Sequence, residues 1–224
     1  PAGHPVREPR QEHPGEIRGE ITATLLYVTP HLYMYVENGA PVDMERLGAA
    51  AVTFEDEIYQ TTRDAFGSEW TPGVDGDEHI TVLHARFRGS SGYFYSLNEV
   101  PAQVNRFSNQ REMFYMSLDE VDIGSPYYLG TLAHEFQHMI QWNEDPQSES
   151  WANEGLAQVA EDINGFSPGE SGWAFLSDTD LQLTTWYGED PAQDIEHYAA
   201  AYLWFRYLYD RTGGQSSLGP LLDP

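Results

Sequence analysis

The chain has 224 residues, 40% of them apolar and 13% aromatic, enough for one sizeable domain or two small lobes with a real core. Eleven basic residues, all arginine, stand against 36 acidic ones for a formal net charge of −25, which argues against nucleic acid or an anionic membrane as partner. The absence of cysteine removes disulfides, thiolate metal ligands and a cysteine nucleophile, and no apolar run reaches the ~18 residues of a membrane span.

Residues 1–16 open with PAGHPVREPRQEHPG, rich in proline and glycine, and read as a flexible arm or linker. His4 and His13 could bind a metal there, although a solvated tail is the plainer reading. ITATLLYV and LYMYV read as two strands broken at Thr29 and Pro30. Asp43 then caps a helix whose Met44, Leu47, Ala51, Phe54, Ile58, Thr62 and Ala65 recur at three or four residues up to Gly67. In the following loop, TPGVDGDEH, Asp75 and Asp77 with Glu78 could hold calcium, yet the full twelve-residue ligand pattern is missing and an acidic turn is favoured.

HITVLHARF, GYFYS and EMFYMSLD add three short strands rich in aromatic and β-branched residues. Ser125 and Pro126 start a helix running to about Trp142, a hydroxyl cap followed by a proline suited to the first turn. Two further helices are expected near 150–163, opened by a serine cap, and 194–211, the latter stopped at Gly213 and Gly214. Residues 215–224 read as the truncated start of another element.

The chemistry concentrates in H-E-F-Q-H, residues 134–138. Histidines four apart stack on one helical face, so His134 and His138 can reach a single ion, and zinc suits imidazole ligands. Leu132, Ala133, Phe136, Met139 and Ile140 make the core-facing stripe, and the two histidines flank it. A catalytic zinc needs a third protein ligand, and Glu154 in S-W-A-N-E-G-L-A is the candidate, brought back by the polar loop NEDPQSE. Glu135, between the histidines, is placed to act as general base towards a zinc-activated water attacking a carbonyl.

HEFQHMIQW followed by WANEGLAQVAE resembles the gluzincin metallopeptidases, most nearly the hyicolysin-like secreted bacterial proteases and more weakly the zinc aminopeptidases. The resemblance implies a thermolysin-like α+β catalytic domain. An upper lobe over 17–143, a twisted mixed sheet with helices, would carry the H-E-x-x-H helix, and a smaller helical lower lobe over 144–214 the third ligand. It also implies a secreted, zinc-dependent metalloendopeptidase acting on peptides or proteins, with zinc on His134, His138 and Glu154 and Glu135 as base.

Three further assignments complete the expected site. Tyr198 is the first candidate to steady the oxyanion, with His197 second and Tyr202 third, although Tyr198, Tyr202, Phe205 and Tyr209 also share one face as core residues would. Glu161, seven residues beyond Glu154, would hold a ligand imidazole in its tautomer, and Gln158 stands where thermolysin-type enzymes place an aspartate. Gly92, Tyr93 and Phe94 are the candidate edge strand for substrate. The rival readings are an aminopeptidase, for which no G-x-M-E-N segment is found, and a catalytically silent zinc-binding module, which would have no use for Glu135.

Overall fold

Among the described residues there are six strands, most of them from segments rich in β-branched and aromatic residues: β1 (His4–Val6), β2 (Ile21–Val28), β3 (Leu32–Glu37), β4 (Ile80–Ala85), β5 (Gly92–Phe94) and β6 (Met113–Ser117). The computed structural model describes residues 4–6, 19–166, 171–177, 179–184, 195–214 and 218. The strands join in one mixed sheet of order β1-β2-β3-β4-β6-β5. β3, β4 and β6 run parallel, with Tyr35 opposite Leu83 and Leu83 opposite Tyr115, while β5 returns antiparallel along β6 and, among the described residues, borders no strand on its outer edge.

The arm expected over 1–16 contains a strand: β1 pairs antiparallel with β2, His4 opposite Ala23 and Val6 opposite Ile21. The main-chain groups on the outer edge of β2 supply the template for that pairing.

The helical stretch capped by Asp43, whose carboxylate accepts from the N–H groups of Glu45 and Arg46, consists of α1 (Met44–Thr53), a π turn (Phe54–Ile58) and α2 (Tyr59–Phe66). The uninterrupted α-helical period expected there is thus broken. The wider turn keeps Phe54 and Ile58 both fully buried while Glu55 accepts hydrogen bonds from Thr29 and His31. Next come α3 (Pro126–Glu144), α4 (Ser150–Ile163), the single turn α5 (Ser171–Ala174) and α6 (Ile195–Thr212). Ser125 caps α3 by accepting from Tyr128 N. The serine cap expected for α4 is not formed: Ser150 is already helical, and Glu149 occupies the cap position with its carboxylate turned to Trp151 Nε1 at 2.7 Å.

One hydrophobic cluster runs from the sheet (Leu32, Met34, Val82, Phe114) through Phe54 and the α3 stripe of Leu132, Phe136 and Met139 to Leu156 and Val159 of α4 and Phe205 of α6. The division expected at 143/144 is therefore crossed by a continuous core. A smaller cluster, including Tyr35, Leu83, Phe87 and Tyr115, covers the opposite face of the sheet. α3 is tied to the sheet by a polar bolt within this apolar setting. His84 on β4, fully buried, sits with Nε2 2.7 Å from the Tyr128 hydroxyl and Nδ1 2.9 Å from the Tyr35 carbonyl oxygen. Among the described residues no helix is long and apolar enough to cross a membrane. Most of 215–224 lies outside the described residues.

Candidate metal centre

The α3 period sends Leu132, Ala133, Phe136, Met139 and Ile140 fully into the core and leaves His134 and His138 partly exposed beside it. α4 packs along α3 and brings Glu154 between the two rings. Its Oε2 lies 3.3 Å from His134 Nε2 and 3.6 Å from His138 Nε2. Ligand bonds of about 2.0–2.2 Å meeting at a tetrahedral angle place neighbouring ligand atoms ~3.3–3.6 Å apart, so the spacing suits a tetrahedral zinc ion. Among the described residues, His134, His138 and Glu154 are the one group of three whose ligand atoms all lie within 4.8 Å of one another.

The two nitrogens facing away from that point are engaged as well. Glu161 Oε1 lies 2.7 Å from His134 Nδ1, and Asn153 Oδ1 lies 3.0 Å from His138 Nδ1. An acceptor at each Nδ1 fixes the proton there and leaves both Nε2 lone pairs for a metal. Asn153 carries no role in the sequence reading, although its place directly before Glu154 is the signal that would have found it.

Charge follows the same geometry. Burial works against a charged His134, but the carboxylates of Glu154 and Glu161 outweigh it and hold its pKa well above the ordinary value. Burial likewise opposes ionised Glu154, yet His138 and His134 hold its carboxyl far below the usual range. Two imidazoles and one carboxylate gathered at one point could hold a metal ion, and such mixed N and O donors fit zinc.

Glu135, between the two histidines on α3, packs against Gly92 of β5 and is only 5% exposed. Burial above all raises its pKa, with Glu154 adding to the effect, while His134, His138 and the hydrogen bond donated by the Phe94 N–H act against it. Gly92 lets the strand come this close, because a Cβ there would lie 2.9 Å from the Tyr115 carbonyl oxygen and 3.1 Å from Glu135 Cγ. Gly92 and Phe94 of the candidate edge strand therefore meet the candidate base directly, while Tyr93 turns to the opposite face and stacks on Tyr115 at 4.4 Å.

The remaining candidates are placed as follows. Tyr198 lies partly buried on α6, one turn before Ala201, which touches α4 at Gly155 beside Glu154. His197 is buried, and the Tyr202 hydroxyl donates to Asp162 at 3.1 Å. Among the described residues, Asp75 and Asp77 join no group of three whose ligand atoms lie within 4.8 Å of one another. Asp77 is taken by the Tyr33 hydroxyl at 3.1 Å and by both His79 N and His79 Nδ1, and Asp75 accepts from Asp77 N.

The site thus offers one carboxylate and two imidazoles that could hold a metal ion, with the buried Glu135 on the same helix. Among known proteins, the neutral metalloprotease ShpI of Staphylococcus hyicus is 25% identical over 181 residues, a match covering 69% of this chain. The chain spans 40% of that relative's length. The solved structure of native leukotriene A4 hydrolase from Saccharomyces cerevisiae matches 91% of this chain and 32% of its own, at 17% identity and a TM-score of 0.47, too loose a likeness to carry fold or function. No family model matches the chain.

Proposed function

We propose that this chain is the catalytic part of a zinc metalloendopeptidase with a thermolysin-like arrangement, acting on peptides outside the cell. The observation that carries the reading is the convergence of His134 Nε2, His138 Nε2 and Glu154 Oε2 with Glu135 buried on the adjoining turn. The likeness to a neutral metalloprotease supports the same reaction class.

His134, His138 and Glu154 would hold the zinc, which supplies Lewis acidity to polarise a substrate carbonyl and an attacking water. Glu161 and Asn153 keep the two imidazoles in the tautomer that leaves Nε2 free. Glu135 accepts the proton of the attacking water and passes it to the departing amine nitrogen, a task that suits a carboxylate whose pKa is raised by burial. The outer edge of β5 at Gly92, Tyr93 and Phe94, which borders no further strand among the described residues, receives the peptide as an added strand, which lays a scissile bond beside Glu135. Tyr198 serves as the donor that steadies the oxyanion, since α6 packs on the helix of the third ligand.

The test is hydrolysis of a quenched peptide library by zinc-loaded protein, by chelated protein and by the Glu135→Gln variant, with zinc content measured in each. Internal cleavage that is lost on chelation, restored by zinc and absent in a zinc-replete variant is the expected result. Cleavage confined to N-terminal residues would turn the reading to an aminopeptidase, and one zinc per chain with no cleavage at all would turn it to a silent metal-binding module.

A further inference from the structure

At the end of the α3–α4 hairpin lies a cavity of about 210 Å³, whose lining includes Gln141 of α3, Asp145, Ser148 and Glu149 of the connecting loop, Trp151 of α4 and Phe205 of α6. Gln141 stands three residues after His138 and Trp151 three before Glu154. On both helices the cavity therefore begins one turn, about 4.5 Å along the axis, from a candidate metal ligand. Trp151 stacks on Phe205 with ring centroids 5.3 Å apart and 20° between the planes, which makes one wall aromatic. Glu149 accepts from Trp151 Nε1 at 2.7 Å, and Asp145 accepts from Gln147 N at 3.0 Å, so both carboxylates of the rim are held in place.

Gln141 is the buried polar residue of this lining, only 2% exposed. Its Oε1 accepts from Gln137 Nε2 at 3.2 Å, while Gln141 Nε2 and Gln137 Oε1 have no hydrogen-bond partner. A half-turn of an amide exchanges its oxygen and nitrogen at almost no change of shape. With both amides turned over, the bond between them runs from Gln141 Nε2 to Gln137 Oε1, and Gln141 offers an unpaired carbonyl oxygen instead. A buried amide left unmet is costly, and a ligand that brings donors to the cavity removes that cost. No arginine is part of the lining, and the formal net charge of −25 favours the approach of cations to this chain.

We propose that this cavity receives an arginine side chain of the peptide substrate, an assignment that rests on the metalloendopeptidase reading for the cleavage and on the cavity alone for the binding. A guanidinium group is planar, carries five N–H donors and no acceptor, and stacks on aromatic faces. It lies along the wall of Trp151, gives its outer N–H groups to Asp145 and Glu149, and gives one more to the amide oxygen of Gln141. A lysine ammonium is compact and strongly hydrated, so it loses more water on entry and cannot stack. At 210 Å³ the cavity falls below the roughly 300 Å³ where pockets for drug-sized ligands begin, and so has room for one side chain. Its place one turn from His138 and Glu154 sets that arginine at one position close to the scissile bond.

The test uses the full chain loaded with one zinc and a quenched peptide series that carries arginine, lysine or citrulline, the neutral isostere of arginine, at each position in turn. Arginine at one position is expected to raise kcat/KM at least about tenfold over citrulline, with lysine between the two. Calorimetric titration of the zinc-replete Glu135→Gln chain with each arginine peptide and its citrulline twin reads the same ratio in Kd without turnover. Asp145→Asn combined with Glu149→Gln, both in the connecting loop, should shrink that ratio to within about threefold, whereas Glu57→Gln, on an exposed helix face, should keep it. Cleavage with no arginine preference at any position overturns the assignment, as do equal binding of the twin peptides and a full ratio in the double variant. A chain that binds an arginine peptide about tenfold tighter than its twin yet cuts nothing upholds the cavity's role and removes the metalloendopeptidase reading.

Discussion

Asn153 Oδ1 lies 3.0 Å from His138 Nδ1, so the residue directly before Glu154, the one carboxylate of the candidate ligand set, also orients the second imidazole. Removing such a partner frees the ring to rotate and to change tautomer, and losses of about 10–100-fold in metal affinity are typical. Asn153→Ala is expected to weaken zinc binding to that extent in competition with a chelator of known affinity. Asn153→Asp keeps an acceptor and should retain most of it. Equal affinity in the alanine variant and the unmodified chain would remove Asn153 from the site.

Gly92 is the contact through which β5 reaches Glu135. In Gly92→Ala the new methyl would lie 2.8 Å from Thr131 Cγ2 and 2.9 Å from the Tyr115 carbonyl oxygen, and a main-chain atom within the sheet cannot turn aside as a side chain can. The strand must move away from α3, at a cost of about 1–3 kcal/mol. The Phe94 N–H that bonds Glu135 moves with it. The expected outcome is a lowered Tm and a fall in peptide hydrolysis at unchanged zinc content. Hydrolysis that survives intact would show that the edge strand does not set the position of the base.

Much of this site is local in sequence, which is why it could be read there. His134 and His138 depend on helical spacing alone, and the apolar stripe of Leu132, Phe136 and Met139 fixes which way that helix faces. Glu154 and Glu161 follow from the same period one helix later. What escaped depends on packing between distant segments: the Phe94 N–H on Glu135, the Asn153 contact across two helices, and the serine cap displaced by Glu149. The burial of Glu69, Glu99 and Glu112, away from the metal centre, escaped for a statistical reason, since isolated glutamates in polar loops are nearly always solvated. Only the folding of two loops against each other buries them, and no local pattern encodes that meeting.

Gly155 follows Glu154 and marks the closest approach of α4 and α6. A Cβ at this position would lie 2.8 Å from Phe205 Cδ2 and 2.9 Å from both the carbonyl carbon and Cβ of Ala201. Gly155→Ala gains helix propensity yet forces two packed helices apart, and the net effect is expected to be destabilising by about 1–3 kcal/mol. Because the displaced backbone carries Glu154, zinc affinity should fall alongside Tm. Thermal unfolding with and without zinc reads both, and a variant more stable than the unmodified chain would show that the helices have room.

His84 predicts how the fold responds to acid. Burial holds its pKa at about 4, below the ordinary 6.5, so the folded chain keeps the ring neutral while the unfolded chain protonates it. Above pH 6.5 both states are neutral and the residue contributes no pH dependence. As pH falls from 6.5 to 4 only the unfolded state gains the proton, so stability drops by up to about 3 kcal/mol, and below pH 4 the loss levels off. His84→Asn, which offers a donor and an acceptor without titrating, should lack this component. The measurement is urea unfolding of both proteins from pH 7 to pH 4, taken as a difference so that carboxylate effects common to both cancel. Parallel profiles would mean that the bolt between Tyr35 and Tyr128 opens to water before the rest of the domain unfolds.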